Sequence, residues 1–300
     1  KSTSMFFMKI LIIGSEGFVG KNLVKGLSEK HDVYTSDQLD SSTHQNYSQC
    51  DITNYESVEK IVREVDTVIH LAAHSLVSSL DGSITNASVN IMGLLNLLES
   101  CRRNSVPKVI FTSASSLIGE PKSFHVNENH SPKPKTAYGI TKLTSEHYLH
   151  LYHELYDIDY TVFRFFNIYG PFQKNGLIPS IFHKIKNNEP ITIFGKGDQI
   201  RDYVYIEDIL PFFEKASSSD IGKNIVLNMG TGNGTTILEI VKNMSEIIGI
   251  KPKIEYQPTR IGEIGNFVAD TTLLHQTFNN IPSTDVKIGL RKTIDWLKSN

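Results

Sequence analysis

The chain has 300 residues, 39% hydrophobic and 21% charged, with a formal net charge of −2. That balance excludes a disordered tail and a basic nucleic-acid binder, and the length asks for a large mixed domain with a smaller lobe rather than one core. Apolar runs such as Ile10–Ile13 and Val109–Phe111 fall far short of the roughly 20 residues that span a bilayer, so no membrane partner is expected.

The opening residues carry two Phe but neither the long apolar stretch nor the small-residue site of a secretory signal, and the native start is read at Met5 or Met8. Cys50 and Cys101 stand in unrelated contexts without C-x-x-C spacing, so no disulfide framework is expected and a reducing cytoplasm is the plain reading.

In chain order, KILII at 9–13 reads as a strand, GSEGFVG as a glycine turn and Phe18–Lys30 as an amphipathic helix. The pattern recurs: strand His31–Ser36, helix Tyr55–Val65, strand Thr67–Ala72, long helix Thr85–Asn104, strand Lys108–Ser113, helix Thr136–Tyr156 and strand Asp159–Asn167. Alternation of this kind predicts an α/β fold with a Rossmann-type, doubly wound parallel sheet. After Gly170-Pro171 the rhythm changes. Turn-rich pieces such as FGKGDQ and MGTGNGTT, with Pro179, Pro190, Pro252, Pro258 and Pro282, break the pattern into short elements. The expected division is 8–169 for a dinucleotide-binding domain and 170–300 for a smaller mixed α/β lobe, with 203–216 read as a helix able to pack back onto the first domain.

The glycines Gly14, Gly17 and Gly20 lie between a strand and a helix. There they permit a tight turn and close approach of a pyrophosphate to a helix N-terminus; the plainer alternative is a turn with close helix packing. Asp37, at the end of the second strand, is placed to bond the ribose hydroxyls of an adenosine and reject a 2′-phosphate, which favours NAD over NADP; an ordinary turn residue is the alternative. Asp51-Ile52 could frame the adenine, or Asp51 could simply be solvated. Tyr138 and Lys142 stand four apart on a predicted helix and share a face. A neighbouring ammonium favours the phenolate, which makes Tyr138 a usable general base. A surface aromatic beside a solvated Lys would give the same letters.

Taken in order, these motifs resemble the extended short-chain dehydrogenase/reductases, in the nucleotide-sugar epimerase/dehydratase group. The resemblance covers nearly the whole chain: GSEGFVG, Asp51-Ile52, HLAA at 70–73, NIMGLLNLLE at 90–99, FTSASSLIGE, YGITK, FRFFNIYGP, GLIPSIF, ITIFGKGDQIRDYVYIEDI, NMGTG and RIGE. It implies an NAD-dependent 4-epimerase of a nucleotide-linked hexose, most like UDP-glucose/UDP-galactose, working through a transient 4-keto sugar. Tyr138 would move the C4 hydroxyl proton and Lys142 would hold the nicotinamide ribose. The cofactor residues implied are Gly14, Gly17, Phe18, Val19, Gly20, Asp37, Asp51, Ile52, Leu71, Ala72, Ala73, Asn90, Ser113, Tyr138, Lys142 and Phe165. For the nucleotide sugar, the family positions are Asn167, Leu177, Ile178, Phe182, Arg201, Arg260, Glu263 and Phe267. The two arginines suit a diphosphate, whose oxygens match guanidinium forks.

The chain departs from the pattern at Ala114, where the family has a Ser or Thr that bonds the C4 oxygen. Ser115 and Ser116 are the candidate catalytic substitutes, Ser116 because it shares a side of an extended segment with Ala114. The position of Ser116 usually carries Glu in the group's dehydratases and decarboxylases, so those reactions fall behind epimerisation. A bulky Phe267 at the family's gating position leans towards an unacetylated hexose; a core aromatic is the alternative. His147, His150 and His153 lack a completing ligand and read as a solvated helix face rather than a metal site. The apolar positions of helices 85–104 and 136–156 read, by resemblance, as a homodimer interface; core packing within one chain would give the same pattern. Two rival functions stay open: an NAD(P)H-dependent nucleotide-sugar reductase, and a non-catalytic NAD or nucleotide-sugar binder.

Overall fold

The computed structural model describes residues 7–75, 82–259 and 265–300. Two compact units result. The first comprises the described residues up to Gly119 with Ser131–Arg164 and Leu210–Leu227; the second comprises Glu120–His130, Phe165–Ile209 and the described part of Asn228–Asn300.

Strand β1 (Lys9–Ile13) buries Ile10, Leu11, Ile12 and Ile13 together, as a central parallel strand covered on both faces must. Helix α1 (Phe18–Leu27) follows, burying Leu23, Val24 and Leu27, and then β2 (Asp32–Asp37) and the short β3 (Tyr47–Gln49). Helix α2 (Tyr55–Ile61) starts where the Asn54 side chain accepts from the Ser57 N–H, and it leads to β4 (Thr67–His70). The long helix expected over 85–104 is α3 (Ser83–Ala87), a π turn at Ser88–Met92 and α4 (Gly93–Arg103). Strand β5 (Lys108–Ala114) runs into a 3-10 turn, Ser115–Leu117, and the second unit's β6 (His125–Val126) comes next. Thr136 caps α5 (Ala137–Tyr156) by accepting from the Gly139 N–H.

The expected strand 159–167 divides into β7 (Asp159–Phe165) and β8 (Asn167–Tyr169). Phe166 still bonds Met229 O, on the strand beside β7 in the main sheet, and the backbone changes partners at Asn167, whose N–H donates to Asp202 O, so that β8 pairs with a strand further on. The remaining elements are α6 (Leu177–Lys186), β9 (Ile191–Phe194), β10 (Ile200–Arg201), β11 (Tyr203–Tyr205), α7 (Leu210–Ser218), β12 (Ile225–Met229), β13 (Thr235–Thr236), α8 (Ile237–Ile248), β14 (Ile254–Gln257), β15 (Val268–Ala269), α9 (Thr272–Phe278) and α10 (Val286–Ser299). Within 203–216 the helix begins only at Leu210, because 203–205 pairs as β11 with β8 and 206–209 forms a 3-10 turn.

The main sheet has seven strands in the order β3-β2-β1-β4-β5-β7-β12, with β1 parallel to both β2 and β4. This is the doubly wound α/β sheet expected. The chain order reverses on either side of β1, and a ligand crevice belongs at such a switch point, outside the carboxyl ends of the strands. The second unit has short pairs instead: β8 with β11, β9 with β14, β6 with β15 and β10 with β13. Among the described residues no helix is long and apolar enough to cross a membrane.

Candidate active site in the glycine-turn unit

The turn after β1 is held from below: the N–H groups of Gly14 and Ser15 donate to Ser36 O. Gly14 has φ +90, and a Cβ there would stand 2.7 Å from the Ala72 nitrogen. A Cβ on Gly20 would stand 2.2 Å from Gly14 O, so α1 lies directly against the turn. Gly17 differs. A Cβ there meets only Gly14 O, at 3.3 Å, and Gly17 is exposed. It is the N-cap of α1, with no side chain capping the first turn and no acidic residue in that turn. An uncapped, positive helix end with open space over a glycine suits a phosphate anion.

A cavity of about 250 Å³ opens here, lined by Gly14, Gly17, Asp37, Asp51, Ile52, Leu71, Ala72 and Ala73 among the residues expected from sequence. Gln38, Cys50, His74 and Val89 also line it and were not anticipated; His74 continues the HLAA motif, whereas the other three carry no signal in a single sequence. Asp37 accepts from the backbone N–H of Glu16 at 3.0 Å and of Gln38 at 2.8 Å, which fixes its carboxylate at the end of β2. Asp51 bonds the Thr53 N–H and hydroxyl through one oxygen, so that oxygen shapes the turn before α2. Asn90 sits in the π turn and spends its side chain on protein: Oδ1 accepts from His74 N, while Nδ2 donates to His74 O and Thr141 Oγ1. It therefore positions the cavity wall at His74.

Lys142 is buried and its ammonium donates to Thr112 O at 2.7 Å. The same Nζ lies 5.5 Å from the centre of the Tyr138 ring and 4.5 Å from that of Phe111. Burial brings Lys142 down to about 7, with the Glu146 carboxylate opposing the shift. Burial pushes the Tyr138 phenol up to about 12. Behind α5, Arg164 grips Glu146 with bonds of 3.0 and 2.7 Å, both groups buried.

The serines beside this pair do not lie as expected. The chain leaves the extended conformation after Ala114, so Ser115 and Ser116 stand in the 3-10 turn, and the alternation that would set Ser116 beside Ala114 does not apply. Ser115 contributes its carbonyl to that turn. The Oγ atoms of Ser113 and Ser116 are buried with no hydrogen-bond partner.

The second unit carries its own cavity, of about 540 Å³, lined by Leu177, Ser180, Lys184, Phe194 and Gln199 among others. Helix α6 presents Leu177, Ser180 and Lys184 to it at spacings of three and four, while Ile178 and Phe182 are buried. Ile178 and Phe182 are thus core residues, a correction to their expected contact with the nucleotide. Phe267 is also core: it is 5% exposed and packs edge-on to Phe166 at 5.7 Å, so its bulk carries no argument about an acetyl group. Asn167 bonds Asp202 O through its side chain, and Arg201 donates to Ile200 O at 2.7 Å. Phe165 closes β7, half-buried. Arg260 and Glu263 lie outside the described residues.

Residues 10–230 match the NAD dependent epimerase/dehydratase family. The chain belongs to that family. Among its relatives, the UDP-glucuronate 4-epimerase of Thermodesulfobacterium geofontis is 32% identical, over 97% of this chain and 96% of its own. Two solved structures share the fold. The UDP-glucose 4-epimerase of Thermotoga maritima with UDP-glucose is 32% identical over 97% of this chain and 99% of its own, with a TM-score of 0.89. The UDP-N-acetylglucosamine 4-epimerase of Methanobrevibacter ruminantium, in complex with UDP-N-acetylmuramic acid, is 30% identical over 98% and 99%, also with a TM-score of 0.89. The resemblance read from sequence and its dependence on NAD therefore hold for this epimerase/dehydratase family member, while its named relatives differ in the sugar.

Proposed function

We propose that this chain is a nucleotide-sugar 4-epimerase that interconverts UDP-glucose and UDP-galactose, its first unit binding NAD and its second the nucleotide sugar. The observation that carries the reading is the buried Lys142 ammonium set 5.5 Å over the Tyr138 ring, in the unit whose glycine turn suits a dinucleotide. Gly14, Gly17 and the first turn of α1 at Phe18, Val19 and Gly20 would hold the pyrophosphate. Asp37 would take ribose hydroxyls, with Asp51, Ile52, Leu71, Ala72 and Ala73 around the adenosine. When bound, NAD supplies a hydride acceptor that can return what it takes.

The chain's own residues handle the proton. Tyr138 accepts the proton of the C4 hydroxyl and later gives it back, so nothing is consumed over a cycle. A phenol near 12 is a poor base at neutral pH, and Lys142, itself brought down to about 7, favours the phenolate in its protonated form. The partnerless hydroxyls of Ser113 and Ser116 are donors for the C4 oxygen in place of the side chain that Ala114 lacks. In the second unit Leu177, Asn167 and Arg201, with Arg260 and Glu263, are the proposed nucleotide-sugar contacts. A homodimer is part of the proposal: α5 leaves Leu151 43% and Leu155 60% exposed one turn apart.

The test is to incubate the purified chain with UDP-glucose, UDP-galactose, UDP-glucuronate or UDP-N-acetylglucosamine and follow the anomeric protons by NMR. The expected result is formation of the C4 epimer from the first two without net NADH. Epimerisation of another sugar alone would overturn the substrate assignment, and steady NADH consumption would make the protein a reductase.

A further inference from the structure

The connection between β2 and β3 is exposed at most positions, but Ser42 and His44 are half-buried. Both meet Glu16, the residue just before Gly17. Ser42 Oγ donates to Glu16 Oε1, His44 Nε2 lies 3.8 Å from the same oxygen, and Lys21 Nζ lies 3.2 Å from Oε2. The Glu16 side chain is only 11% exposed. Burial works against its charge, yet the Ser42 hydroxyl, the Lys21 ammonium and His44 hold the carboxyl below its ordinary value. The backbone N–H of this same residue donates to Asp37 Oδ2 at 3.0 Å, so the cluster adjoins the carboxylate expected to meet the adenosine ribose.

An ammonium, an imidazole and a hydroxyl close together are the groups that proteins use to bind a phosphate monoester. Here all three are committed to one carboxylate. We propose that Glu16 is a specificity-determining residue for the cofactor: by holding Lys21, Ser42 and His44 to itself beside Asp37, it denies a 2′-phosphate the cation and hydroxyl that would bind it. This rests on the NAD reading above and adds to Asp37 a second, independent ground for refusing NADP. Asp37 repels the phosphate directly, whereas Glu16 removes its binders.

The test is calorimetric titration of NAD and NADP into the full chain freed of copurified nucleotide, for wild type, Glu16→Gln and Glu16→Gln with Lys21→Met. In Glu16→Gln the NADP dissociation constant should fall about tenfold, the factor given by one new charge-assisted bond of about 1.4 kcal/mol, while that for NAD stays within about twofold. Adding Lys21→Met should remove the gain. An unchanged NADP affinity in Glu16→Gln, or a gain that survives Lys21→Met, overturns the inference while leaving the NAD reading intact. Loss of NAD binding in Glu16→Gln also overturns it, because Glu16 would then be holding the turn itself. A wild-type chain that binds neither nucleotide overturns both readings.

Discussion

Two alanine substitutions in the glycine turn separate binding from folding. In Gly17→Ala the new methyl meets only Gly14 O, at 3.3 Å, and the backbone at φ −70 and ψ 171 is open to any residue. Exchanging Gly for Ala at an N-cap costs less than about 1 kcal/mol, so the fold should survive. The methyl nevertheless occupies the open space over the helix N-terminus. A pyrophosphate displaced from there forfeits at least one charge-assisted N–H bond, about 1.5 to 3 kcal/mol, which is a loss of NAD affinity of roughly 10- to 150-fold. In Gly20→Ala the methyl would lie 2.2 Å from Gly14 O and 2.6 Å from Ser15 O, both backbone atoms that cannot swing away. The better helix propensity of Ala returns about 1 kcal/mol, but pushing α1 off the turn costs about 1 to 3 kcal/mol or more, and the turn loses its shape as well. Urea unfolding and NAD titration on the same samples read both effects. Gly17→Ala should keep the wild-type midpoint and lose NAD, and Gly20→Ala should lose both. Wild-type NAD affinity in Gly17→Ala would refute the placement of the pyrophosphate, and a wild-type midpoint in Gly20→Ala would refute the close approach of α1.

Tyr138→Phe should keep nucleotide-sugar binding and lose turnover by about 100-fold or more, the usual share of a general acid–base group; near-normal epimerisation by NMR would remove Tyr138 from the chemistry. Glu146→Gln leaves the buried Arg164 guanidinium without its carboxylate and should lower unfolding free energy by about 3 to 5 kcal/mol, with Arg164→Met in the same chain restoring part of it; a loss under 1 kcal/mol would show the pair is dispensable. His70 is buried beside Phe111, and burial followed by the Lys142 charge brings it from 6.5 down to about 3. The folded value lies below the unfolded one, so the unfolded chain takes the proton first. Its stabilising contribution is therefore complete above about 6.5 and declines as pH falls from there towards 3, by at most about 1.4 kcal/mol per unit. His70→Leu should flatten the urea midpoint between pH 6.5 and 5.5 relative to wild type, and parallel slopes would contradict it.

Local chemistry made much of this protein legible from its letters. A glycine turn between strand and helix, an acid at the next strand end, and Tyr138 four residues before Lys142 are all short-range patterns, and their geometry follows from backbone rules that any segment obeys. The alternation of strands and helices determined the doubly wound sheet for the same reason. The side chains of Ile178, Phe182 and Phe267 were decided otherwise. They carry family letters, but which face of a helix or strand meets a cavity depends on what packs behind it, and α6 shows Leu177 and Ser180 to the cavity while burying the residues between. The 3-10 turn at Ser115–Leu117 lies so close to α5 that a Cβ on Gly139 would stand 2.7 Å from Ser116 O, and the π turn around Asn90 is tied to α5 by the bond from Asn90 Nδ2 to Thr141 Oγ1. The Glu16 cluster also depends on tertiary structure, because its members lie on two separate pieces of chain, 16–21 and 42–44. Sequence spacing resolves what a residue does to its near neighbours along the backbone, and only the packed chain resolves which distant groups share the resulting space.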